Sequence, residues 1–271
     1  MAENYGRRIG SHGIDKGVSK FYHKIQFPGH YTQKEVLKKS EDFFLSDYIK
    51  LPYLPFKGKL LEAGCGSGYT THVIATLRRD IEITGIDFSK GSLEYAENFT
   101  KQNHFHNTKF QWMDLRDIQL PKNHFDTLIC SGVLHHIENP RPIFTNLCKL
   151  VKPNGVVIVG LYHPWGRFSV HSRQKFFKIT GGKGRWVDPR IRKENWTEQR
   201  KETWYRDQYD HPHEEDYSHK TLMQWFKEEG ISFVGSLPKY DESNLSYNFY
   251  MLTKMGSQGG LFIFVGRKGA S

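Results

Sequence analysis

Between Leu60 and Leu161 the chain alternates short apolar runs with amphipathic stretches. Leu60–Ala63, Ile81–Asp87, Phe110–Leu115, Phe125–Ser131 and Val156–Leu161 have the length and β-branched content of buried strands. Tyr69–Arg78, Lys90–Gln102 and Pro142–Leu150 read as helices between them, with Ser89 as N-cap of the second. Val151-Lys-Pro-Asn-Gly155 reads as a turn. This alternation predicts a doubly wound, parallel α/β sheet. Upstream, Tyr31–Lys50 reads as a helix with Val36, Phe43, Phe44 and Tyr48 on one face, and Leu51–Gly58 breaks it.

The pattern stops at residue 162. Residues 162–217 carry Trp165, Trp186, Trp196 and Trp204 among many Arg, Lys and His, too long and too polar for another βα unit. Phe168–Ile179 predicts a helix ended by Gly181–Gly184. Beyond the insertion, Ser218 caps a helix with Leu222, Trp225 and Phe226 on one face and Gly230 at its end. Ile231–Gly235 and Leu261–Arg267 read as the last strands, joined by a loop, Tyr240–Gln258, expected to wall a pocket. The chain therefore divides into an arm and helix capping the site (1–55), a core (56–161), an inserted segment (162–217) and the last helix and strands of the core (218–271).

Composition narrows the class. A chain of 271 residues buries one good core with room for a subdomain. It has no run of eighteen apolar residues, and its first residues lack the apolar stretch of a signal peptide. Cys65, Cys130 and Cys148 show no metal-ligand spacing and read as free thiols in a reducing cytoplasm. The net charge of +10 suits RNA, acidic lipid heads or an anionic metabolite, but no block of five or six basic residues marks a dedicated patch.

The densest signal is Leu60-Leu-Glu-Ala-Gly-Cys-Gly-Ser-Gly-Tyr-Thr71, with Gly64, Gly66 and Gly68 at alternate positions. Asp87 ends the next strand, where a carboxylate can accept from both hydroxyls of a ribose. A diphosphate-binding loop reads G-x-G-x-x-G. Here the spacing differs, and Glu62 before it favours a cationic ligand. The stretch resembles motif I of class I S-adenosylmethionine (SAM) methyltransferases, E/D-x-G-x-G-x-G. Phe125–Ser131 followed by Gly132-Val-Leu-His-His-Ile137 resembles motif "post II" of small-molecule members. The resemblance covers about residues 56–161 and the chain's end. It implies a seven-stranded sheet of order 3-2-1-4-5-7-6 with the last strand antiparallel, and an insertion after strand 5 that builds the substrate lid. It also implies SAM as cofactor and S-adenosylhomocysteine as product, held by Glu62, Gly64, Gly66, Gly68, Asp87, Phe88, Asp114, Leu115 and Ser131. Asp117 is an alternative to Asp114 three residues on.

On the acceptor side, His135 and His136 can act as bases, since imidazole titrates near neutrality, or pack beneath the cofactor. Asp207-Gln-Tyr-Asp-His211-Pro-His213-Glu214-Glu-Asp-Tyr217 gathers His211 and His213 as candidate bases and Tyr209 and Tyr217 as substrate donors. A metal held by these histidines and carboxylates, or a solvated hinge, are the competing roles, and no metal is assigned. His163 and Trp165 form a second candidate wall. The arginines and aromatics of the lid suit a planar or anionic small-molecule acceptor. The competing functions are an RNA or tRNA methyltransferase, a non-catalytic SAM-binding scaffold and a protein methyltransferase. The oligomeric state is not encoded in any motif.

Overall fold

The computed structural model describes residues 29–45, 58–192, 196–240, 243–255 and 259–270. Most of the expected N-terminal arm, residues 1–28, lies outside these, as do Tyr48 and the breaker up to residue 57. Among the described residues seven strands form one sheet: β1 (Gly58–Ala63), β2 (Ile81–Asp87), β3 (Thr108–Trp112), β4 (Phe125–Ser131), β5 (Val151–Tyr162), β6 (Ile231–Leu237) and β7 (Leu261–Lys268). Their order is β3-β2-β1-β4-β5-β7-β6. β1 through β5 are parallel, with Leu60 opposite Ile83 on one side and Thr127 on the other. β7 runs antiparallel to β5 and β6, with Phe264 opposite Val159. The chain leaves β1 outward to β2 and β3, then returns to β4. The β1–β4 boundary is thus the switch point, and its carboxyl edge is where such sheets bind ligands.

Alternation along the strands feeds two cores. Leu61, Leu128, Val157, Phe262 and Phe264 face α4 (Arg141–Leu150) and α7 (His219–Glu228). Leu60, Ile83, Ile129, Ile158 and Val265 face α1 (Gln33–Leu45), α2 (Tyr69–Leu77) and α3 (Lys90–Gln102) through Val36, Val73, Ile74 and Phe99. Each fully buried Leu or Ile contributes about 1.5–3 kcal/mol. Ser89 and Ser218 cap α3 and α7 by accepting from Ser92 and Thr221 N–H. All three cysteines are buried free thiols.

The insertion after β5 holds α5 (Pro164–Ile179), whose first residue is a proline suited to a helix start, and α6 (Glu198–Tyr209). Three expectations shift. β3 stops at Trp112, before Asp114. The Pro-Asn-Gly turn is a bulge inside β5: pairing steps from Phe125–Val151 to Thr127–Val156, with Asn154 at φ 63°. The expected loop before β7 contains α8 (Asn244–Tyr250) and a π turn over Met251–Met255, because Tyr247 and Met251, four residues apart, both bury into the core. Among the described residues no helix is long and apolar enough to cross a membrane.

Candidate active site

The glycine loop leaves β1 and is fastened to β2. Gly64 and Cys65 N–H donate to Ile86 C=O at 2.8 and 3.1 Å. Gly66 N–H donates to Asp87 Oδ2, and Ser89 N–H to Asp87 Oδ1, each at 2.8 Å. Asp87 is buried, and burial pushes its carboxyl up while the Ser89, Gly66 and Phe88 N–H groups pull it back. The acid expected to meet the ribose therefore also holds the loop. Phe88 is half-buried beside it.

Gly64 has φ +75°, and a Cβ there would lie 2.4 Å from Val133 Cγ2. Gly64→Ala is expected to cost about 2 kcal/mol or more through strain and overpacking and to weaken cofactor binding, measured by urea unfolding and calorimetry. Wild-type stability and affinity in that variant would show that the turn tolerates a side chain.

Glu62 points from β1 under the first turn of α2, where the Thr71 hydroxyl donates to its carboxylate. Burial pushes its carboxyl from the ordinary 4.5 up to about 7, against the pull of Thr71 and Thr70. Hydroxyls leave the charge uncompensated, so the residue fits a cationic ligand. Because the folded value lies above the unfolded one, the stability this group contributes is present at low pH and lost as pH rises through about 7. Glu62→Gln is expected to stabilise the ligand-free chain by about 1–3 kcal/mol near pH 8, with the gap closing toward pH 4.5, while weakening the cofactor. Urea unfolding at both pH values checks this; an equal gap at both would give Glu62 an ordinary ionisation.

Along the rest of the edge, Asp114 is half-buried and Leu115 buried. Burial alone would raise the Asp114 carboxyl, but Arg116 outweighs it: Nη2 donates to Oδ2 at 2.6 Å and Nε to Oδ1 at 2.9 Å, holding the group below the usual range. Asp117 is exposed and accepts from Gln119. Ser131 is half-buried at the end of β4, and a Cβ on Gly132, at φ +79°, would meet open space. The glycine cradle, the uncompensated Glu62 and the acid at the tip of β2 together fit SAM.

At the same sheet edge lies a histidine cluster, covered by the segment 211–217. His135 is fully buried and stacks on Tyr162 with ring centroids 3.8 Å apart; neither ring nitrogen has a partner among the described residues. Burial, then Arg167 and His211, push its imidazole well down, so it is neutral. His136 stacks on His211 at 3.8 Å and its Nδ1 lies 3.2 Å from His213 C=O. His213 N–H donates to His211 Nδ1 at 3.2 Å. Two backbone bonds pull this segment over the sheet edge: Glu215 N–H to His135 C=O at 2.9 Å and Tyr217 N–H to Tyr162 C=O at 2.8 Å. Arg167 lies over the Tyr162 ring at 4.0 Å and grips Glu214 with Nε and Nη2 at 2.8 and 2.7 Å.

Three residues expected on the substrate side, the hydrogen-bonding Tyr209 and the wall candidates His163 and Trp165, have other surroundings. Tyr209 is turned into the lid's own core with Val170, Phe177 and Tyr205, and its hydroxyl donates to Asp188. His163 is buried 3.2 Å from His219 Nδ1 and against Tyr247 and Phe262, where burial pushes it down to about 4. Trp165 is exposed on the outer side of α5. Tyr217 stays at the edge, with its ring on Trp225 and its hydroxyl donating to Glu215. Four residues at or near the site were not singled out in the sequence. Tyr162 stacks on His135, and Arg167 lies over the Tyr162 ring. Trp112 donates to Phe88 C=O at 2.7 Å with an exposed ring. Tyr31 donates to Ser67 C=O at 2.6 Å behind the glycine loop. Tyr162 and Trp112 end strands at the ligand edge, which was the available signal.

Fold and site together define a Rossmann-like domain shaped for a nucleoside carrying a cationic amino-acid end. A family model described as "Methyltransferase domain" matches residues 57–230, and the chain belongs to that family, whose methyl donor is SAM. An uncharacterized protein of Synechococcus is 30% identical over 199 residues, covering 65% of this chain and 48% of its own length. The ubiquinone biosynthesis O-methyltransferase of Coxiella burnetii is 28% identical over 122 residues, covering 43% of this chain and 51% of its own. The chain thus spans about half the length of these curated relatives. A SAM-dependent methyltransferase structure from Methanosarcina mazei shares the fold at TM-score 0.53 and 16% identity, over 81% of this chain and 96% of its own.

Proposed function

We propose that this chain transfers the methyl group of SAM to a hydroxyl on a small, ring-bearing acceptor. When bound, SAM supplies an electrophilic methyl on a sulfonium. The protein's part is to orient the acceptor in line and exclude water, with neutral His135 hydrogen-bonded to the acceptor hydroxyl, whose proton is released to solvent as the O–CH3 bond replaces S–CH3. The observation that carries the acceptor side is His135. It is a neutral, buried imidazole with two unpartnered nitrogens, between the post-II turn and the end of β5. A buried polar group without a partner costs about 1–3 kcal/mol, which a hydroxyl of the acceptor would recover. Its neutrality suits a hydroxyl rather than a carboxylate or phosphate, and Arg167 is already committed to Glu214. Tyr162 and His136 pack against His135 and make its surroundings aromatic. The lid segment bonded across the edge favours a small molecule over RNA. The relative named for ubiquinone biosynthesis O-methylation points to the same acceptor class.

The test is a screen with methyl-labelled SAM against phenols, catechols, hydroxylated aliphatics and tRNA. Label transfer to a phenol or catechol, lowered in kcat rather than in KM for SAM by His135→Ala, is the expected result. Labelling of tRNA alone would overturn it.

A further inference from the structure

Helix α5 has two unlike faces. Gly166, Arg167, Val170 and Phe177 are buried toward the core and the lid. On the other side Trp165, Phe168, Ser172, Phe176 and Ile179 fall within an arc of about 80° at 100° per residue. The four large apolar residues among them are 48, 61, 42 and 86% exposed. Trp186, 68% exposed, extends the stripe past the end of the helix: a Cβ on Gly184 would lie 2.9 Å from Phe176 and 3.9 Å from Trp186. The stripe runs about 21 Å along the helix at 1.5 Å per residue. Contiguous exposed apolar surface of this kind marks an interaction site.

The charge around it chooses the partner. No Asp or Glu occurs from residue 139 to 187. Lys175, Lys178, Lys183 and Arg185 are exposed beside the stripe. Arg185 pairs with Glu202, and Lys178 acts on Asp210. Lys175 and Lys183 make no ion pair among the described residues. An apolar stripe with aromatic residues, flanked by lysines, is the pattern of a helix lying in a bilayer interface, with lysine heads at anionic phosphates. A second copy of the chain fits poorly, since a two-fold contact would bring Lys175 and Lys183, which make no ion pair among the described residues, against the same lysines of the copy. RNA would use the aromatics for stacking but leaves Ile179, the most exposed of the set, without a role.

We infer that the outer face of α5, from Trp165 to Trp186, docks the lid onto an anionic lipid bilayer. Arg167 on the opposite face holds Glu214 at the acceptor wall, so the helix that seats on the bilayer is the one that roofs the site. The inference rests on the surface alone and stands apart from the identity of the acceptor.

The test is co-sedimentation of the full chain with phosphatidylcholine vesicles, with and without phosphatidylglycerol, read together with tryptophan emission. The expected result is binding to the anionic vesicles with a blue shift in emission. The double variants Phe168→Ser/Ile179→Ser and Lys175→Glu/Lys183→Glu are each expected to lower partitioning about tenfold or more, with S-adenosylhomocysteine affinity and circular dichroism unchanged. Failure to bind anionic vesicles, or binding that survives both double variants, would overturn it. So would loss of a dimer, seen by sedimentation velocity, in the Phe168→Ser/Ile179→Ser chain. Polynucleotide binding that outcompetes vesicles at equal salt would do the same.

Discussion

Asp87→Ala is expected to weaken S-adenosylhomocysteine binding by about 2–4 kcal/mol, some 30-fold to nearly 1,000-fold. Two losses add. The carboxylate can no longer accept from ribose hydroxyls. The Gly66 and Ser89 N–H groups, now bonded to Asp87 at 2.8 Å, lose their acceptor, and the glycine loop loses its tie to β2. Asp87→Asn keeps one acceptor oxygen and is expected to fall between. Calorimetry gives the affinities and circular dichroism confirms the fold. Wild-type affinity in a folded Asp87→Ala chain would remove the ribose from the tip of β2.

Glu214→Ala is expected to destabilise the chain by about 3–5 kcal/mol, the cost of leaving a buried charge unpaired. Arg167 is 1% exposed, and Glu214 neutralises it through two short bonds. Gln208 and Gly259 accept from Arg167 Nη1 but carry no charge. The double variant Arg167→Met/Glu214→Leu is expected to recover most of the loss, because it removes the charge together with its partner. Urea midpoints for the three chains check this. A loss below about 1 kcal/mol in Glu214→Ala would mean that water reaches the guanidinium.

The strands and helices of the core were legible because they rest on local rules, while the strand order came only with the family resemblance. Strand-length apolar runs, the Gly64–Gly68 spacing and Ser89 before Lys90–Gln102 each carry their signal within a few residues. The segment 162–217 was legible only as an insertion. Tyr209 and His163 were drawn toward the site by their chemistry, yet Asp188 and His219, 21 and 56 residues away in sequence, hold them in separate cores. Arg167 was indistinguishable from any surface arginine until Glu214, 47 residues later, came to face it. The loop before β7 hid a helix because its polar composition outweighed the four-residue spacing of Tyr247 and Met251. Such pairings arise from tertiary packing and leave no periodicity to read.

Titration of the purified chain with S-adenosylhomocysteine by calorimetry, with NAD as control, tests the central claim most directly. Binding of S-adenosylhomocysteine alone, with micromolar affinity, is the predicted result. Absence of binding, or binding of NAD instead, would contradict the assignment of the Gly64–Gly68 loop, Glu62 and Asp87 to a methyl donor.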